Sequence, residues 1–152
     1  MLTKAELSWE GMRIIDEILE ETGELRPRVI AWSRNNKTIC FEIAAPDQTT
    51  KIAKQEVVVS KIQKLRHDGT LTGVIFLSET WTATGDKAPP SQHPDRKEAV
   101  AMAVYGCDGK ELYVWPIERH GNAVKRGLQE ILHTEEWAGW LGEAFAHEGG
   151  TA

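Results

Sequence analysis

The chain has 152 residues, of which 41% are hydrophobic and 27% charged, a composition of ordinary globular domains that needs neither disorder nor a disulfide scaffold to explain it. A net charge of −5 argues against general binding to nucleic acid or an anionic membrane, because such binding neutralises phosphates with clustered Lys and Arg. The two cysteines, Cys40 and Cys107, have no Cys-x-x-Cys spacing on which a zinc ribbon or redox motif could be built.

The N-terminus alternates polar with apolar residues and lacks the apolar stretch of a secretory signal. No run reaches the roughly 18 apolar residues of a membrane span. With only two cysteines and no cysteine motif, these features predict a cytoplasmic protein that does not engage membranes.

From Leu7 onward Gly11, Ile14, Ile15, Ile18 and Leu19 recur at helical spacing, with acidic residues on the other side until Gly23, which predicts an amphipathic helix. After Pro27, Val29-Ile30-Ala31-Trp32 and Ile39-Cys40-Phe41-Glu42-Ile43 are predicted as strands of a hairpin. Its turn lies at Arg34-Asn35-Asn36-Lys37. Pairing Arg34 with Lys37 sets Trp32 against Ile39 and Ile30 against Phe41 and gathers the large apolar side chains on one face.

Candidate caps between Pro46 and Thr50 open a second helix, with Ile52, Val58, Val59, Ile62 and Leu65 on one side before Asp68-Gly69. A strand over 73–83 carries Val74, Phe76 and Ser78 on one face and Ile75, Leu77, Glu79 and Trp81 on the other, the pattern of an interior strand. Residues 85–94, with three prolines, form a loop.

A second hairpin is predicted from 98–106 and 110–117, turning at Cys107-Asp108-Gly109-Lys110. Pairing Cys107 with Lys110 places Tyr105 and Ala103 with Leu112 and Val114 on one face, and Val104 and Met102 with Tyr113 and Trp115 on the other. Both faces are apolar, so the hairpin is expected to be covered twice.

Val124, Leu128, Ile131 and Leu132 then suggest a short helix, entered through a basic segment containing Lys125 and Arg126. Thr134 can cap another helix that carries Trp137, Trp140, Leu141 and Phe145 along one side. The whole predicts one α+β domain over 1–148 and a tail at 149–152. Its element order is α-β-β-α-β-β-β-α-α, around a mainly antiparallel sheet of about five strands.

The candidate site lies over 76–98. Glu79 and Trp81 end the interior strand, and Ser91, His93, Asp95, Arg96 and Glu98 follow in the loop, so a rigid sheet would position acid, base and guanidinium groups together. Glu79 could serve as general base with His93 and Asp95 beside it, the chemistry of a small hydrolase. The competing structural reading pairs Glu79 with Arg96 to pin the loop and lets Asp95 cap the turn after Pro94. Trp81, Ser91 and Arg96 are the candidate binding residues.

The element order resembles that of JAMM metalloproteases, whose ligands are a His-x-His pair and a following Asp. Ser78-Glu79-Thr80-Trp81 has no histidine where that pair would fall, and His93 with Asp95 supplies too few ligands, so no metal and no cofactor is expected. No nucleophile elbow or phosphate-binding loop is present in the sequence either.

Ser78-Glu79-x-Trp81 followed by Pro90-Ser91-x-x-Pro94-Asp95-Arg96-x-Glu98 resembles a pattern of small uncharacterised prokaryotic and phage-associated proteins. That resemblance implies origin and local structure but no activity. The expected function is a non-enzymatic binding or assembly domain, homo-oligomeric through a surface bearing Trp137 and Trp140; the competing reading docks the stripe of Trp137, Trp140, Leu141 and Phe145 on the sheet as core.

Overall fold

The computed structural model describes residues 1–35, 37–82, 97–129 and 139–145. Helix α1 (Lys4–Thr22) starts where Thr3 accepts the Glu6 N–H and the Glu6 carboxylate accepts the Thr3 N–H, satisfying donors that a helix start leaves open. It stops at Gly23, whose φ of 74° is left-handed and suits glycine. Leu7, Ile15 and Leu19 are buried along one side. Gly11 shares that side because Met102 Sδ lies against the helix there, leaving no room for a Cβ.

Helix α2 (Gln48–His67) starts at Asp47, whose side chain accepts the Thr50 N–H at 2.7 Å; this bond holds the Asp47 carboxyl below its usual range. Val58 and Ile62 are buried, and Val59 and Leu65 pack beside them. Val57 and Ile52 are left exposed.

Strands β1 (Arg28–Ser33), β2 (Thr38–Glu42), β3 (Leu71–Thr82), β4 (Lys97–Gly106), β5 (Gly109–His120) and β6 (Ala123–Arg126) form one sheet in the order β2-β1-β3-β4-β5-β6. Every pairing is antiparallel. Helix α1 covers one face, over Ile30, Ile75, Leu77, Met102 and Trp115. The other face, with Val29, Val74, Phe76 and Tyr105, carries α2 and the short helix α3 (Gly139–Gly142) with the 3-10 turn after it. The fold is α+β with an antiparallel sheet, as the two hairpins predict, and β3 is interior with both of its expected faces buried.

The sheet has six strands rather than about five. The extra one, β6, replaces the helix expected from Val124 onward. Gly121, at φ 62°, turns the chain so that Ala123 to Arg126 pair along the open side of β5, and the Gly127 N–H donates to the Pro116 carbonyl at 2.8 Å. Backbone partners offered by β5 outweigh a helical spacing that only Val124 and Leu128 support among the described residues. Leu128 is left 87% exposed.

The first hairpin is one residue out of the expected register. Ala31 pairs with Ile39 and Val29 with Phe41, because three residues rather than two separate the last paired positions, Ser33 and Lys37. A shift of one exchanges the faces. Phe41 thereby joins Val29, Ala31 and Ile43 under α2, whereas Ile30 and Trp32 turn to α1.

The second hairpin is shifted by two. Ala103 pairs with Leu112 and Met102 with Tyr113, around a turn closed by Gly106 and Gly109. An even shift leaves every side chain on its expected face, so the twofold covering stands. Gly106 is the closer of this turn because a Cβ there would lie 2.7 Å from the backbone nitrogen of Lys4, where α1 begins.

Candidate functional site

Glu79 lies three residues before the end of β3, on the face that carries α1. Its Oε1 accepts the Leu25 N–H at 2.8 Å, and its own N–H donates to the Leu25 carbonyl at 3.4 Å. Leu25 is buried and carries the chain from α1 into β1. The carboxylate therefore ties the end of the interior strand to the connection that enters the neighbouring strand. A part-buried N–H left without an acceptor there would cost about 1–3 kcal/mol.

Glu98 stands on the same face, opposite Trp81 in the β3–β4 ladder. It receives two bonds from Arg119 of β5, at 2.9 Å from Nε and 3.4 Å from Nη2. Arg119 also donates to the Gly23 carbonyl at 3.3 Å, at the C-terminal end of α1, where a cation complements the carbonyl end of the helix. Hydrogen bonding to Glu98, with the further negative charges of Glu79 and Glu24, raises the guanidinium pKa above its ordinary value. One arginine thus sits among three carboxylates at this end of the sheet.

Of the predicted site residues, the structure brings together Glu79 and Glu98 and places Trp81 opposite Glu98. Ser91, His93, Asp95 and Arg96, and with them the Glu79–Arg96 pair, lie outside the described residues, as does Trp137. The sequence reading missed Arg119 and Leu25. A strand carried past Ile117 would have placed Arg119 beside Glu98, since the expected register sets the two directly opposite. The observed one makes them a diagonal pair.

Trp140 packs edge-on against Phe76, ring centroids 5.6 Å apart, and Phe145 stacks on Tyr105 at 4.5 Å. These partly buried rings pack against the core beneath α2, as the core reading of this stripe expects. The Tyr105 hydroxyl finds no partner among the described residues, and burial pushes its pKa up to about 12, so it stays neutral.

Among the described residues no three His, Cys, Asp or Glu side chains are grouped so as to hold a metal ion. No described helix is long and apolar enough to cross a membrane. Clefts lined by described residues include two at opposite edges of the sheet. One, of about 670 Å³, lies between α1 and β6 beside the Asp16–Arg126 ion pair. The other, of about 340 Å³ and mostly apolar, runs between β2 and α2 along Phe41, Ala53, Val57 and Val58. No protein-family model matches this chain, and comparison with curated proteins and with solved structures yields no significant match.

Proposed function

We propose that this chain is a non-enzymatic binding or assembly domain, of the prokaryotic or phage-associated kind whose Ser78-to-Glu98 pattern it resembles. The observation that carries the reading is the bond from the Leu25 N–H to Glu79 Oε1 at 2.8 Å. It engages the carboxylate best placed to act as a base in tying β3 to the connection between α1 and β1. The ion pair of Glu98 with Arg119 supports the same view of this end of the sheet. A net charge of −5 favours a protein partner over nucleic acid. Cys40 and Cys107, free and exposed, favour the reducing cytoplasm.

Two substitutions test the reading against a hydrolase built on Glu79, His93 and Asp95. Glu79→Gln keeps an acceptor for Leu25 and is expected to cost at most about 1 kcal/mol, whereas Glu79→Leu removes it and is expected to cost about 1–3 kcal/mol, both measured by urea denaturation. Ester, amide and phosphoester substrates are expected to show no turnover that depends on Glu79. Hydrolysis by the natural chain that disappears in Glu79→Gln, with stability retained, would sink the proposal.

A further inference from the structure

The outer edge of β2 offers hydrogen-bonding groups in a fixed pattern. The Ser33 N–H donates to the Lys37 carbonyl at 2.9 Å and the Ile43 N–H to the Pro27 carbonyl at 3.1 Å, so odd-numbered positions of this segment point their backbone groups at β1. Backbone N–H and C=O groups of Thr38, Cys40 and Glu42 consequently point away from the sheet. Thr38, Ile39, Cys40 and Glu42 are exposed. Neither a proline nor a bulge interrupts the strand, and its one charge is Glu42 at its end, so it carries few of the devices that keep edge strands apart.

We infer that β2 pairs antiparallel with β2 of a second copy of this chain, about a two-fold axis at Cys40. The inference deepens the binding reading above and rests on it.

The register follows from the backbone. Only outward-pointing residues can exchange bonds across the seam, and the alignment that uses all three sets Thr38 against Glu42 in each direction and Cys40 against itself. That alignment also places Ile39, 37% exposed, against the partly buried Phe41 of the other copy, twice, beside the apolar groove under α2. Charge agrees with it: each Glu42 meets a threonine, whereas sliding the strands so that the axis passes through residue 42 would bring the two carboxylates together. Pairing uses up both β2 edges; at the other edge of the described sheet β6 covers Ile117–His120 of β5, and its Lys125 and Arg126 discourage growth there.

The test is the mass of the full chain in solution by sedimentation and light scattering under reducing conditions. Concentrations should reach about 0.5 mM, where even a contact with a Kd near 1 mM is visibly populated. The expected result is a species of twice 17.0 kDa. Cys40→Pro removes only an outward N–H and is tolerated on an edge strand, so it should keep the native circular dichroism and weaken association at least tenfold. Ile39→Lys, which places a cation in the seam without touching the backbone, should do the same and serves if the proline variant fails to fold. A monomer at every concentration overturns the self-pairing, and so does a dimer that both variants leave unchanged. In that event binding of another protein's strand at β2 would still satisfy the broader reading, which fails separately if hydrolysis dependent on Glu79 is found.

Discussion

At one edge of the sheet β6 runs for four residues, half of them cations, and is held down from the side; at the other β2 runs for five, with one charge and, among the described residues, no strand on its outer side. Arg126 makes the difference. Its guanidinium donates to both Asp16 oxygens, at 3.0 and 3.1 Å, and lies 4.9 Å above the buried Trp115 ring, so β6 is bound to α1 as well as to β5. On the β2 side, α2 packs over β1 and β3 and leaves a groove in front of Phe41. An edge strand that another element grips from its own chain is closed to partners; one left with free backbone groups and apolar side chains invites pairing.

Removing the platform under the closed edge should have the largest effect. Trp115 is 1% exposed and belongs to the core beneath α1, so Trp115→Ala should cost about 3–5 kcal/mol in urea denaturation. A loss under about 1 kcal/mol would mean that β6 and α1 do not depend on this ring. Arg126→Met is milder. It gives up a half-exposed ion pair and a cation–π contact, about 1 kcal/mol together, while keeping an apolar stem on the ring. Amide exchange should quicken at residues 123–126 and stay unchanged in β2; equal protection in the variant and the natural chain would remove Arg126 as the clasp.

These edges also show where a one-dimensional reading succeeds. Faces follow from alternation, so Val74 and Phe76 could be separated from Ile75 and Leu77 before the structure, and the second hairpin kept its faces through an even shift. An odd shift has no such protection: one additional loop residue moved Phe41 to the opposite face from Trp32. Edge strands are harder still, because Val124 is a strand residue only by virtue of the free side of β5, which local spacing does not encode. The candidate site behaves likewise. Glu79 at the end of an interior strand is a local fact, but its acceptor role toward Leu25 spans 54 residues and depends on how the strands are ordered.

The smallest effect, and the most direct probe of the open edge, concerns Cys40. Though its surface is exposed, partial burial pushes its thiol pKa up, more than the neighbouring Arg28 guanidinium pulls it down. Because the thiolate is the reacting form, a raised pKa means less of it at any pH below that value. In a Cys107→Ser background, iodoacetamide should therefore modify Cys40 more slowly than it modifies a free cysteine derivative. The gap should narrow as the pH is taken from about 7 to about 10, through the ordinary thiol range and toward the raised value. A further slowing as the chain is concentrated at constant pH would report the seam closing over the same sulfur. A rate that matches the free thiol at every pH and every concentration would show that neither burial nor a second copy shields this edge.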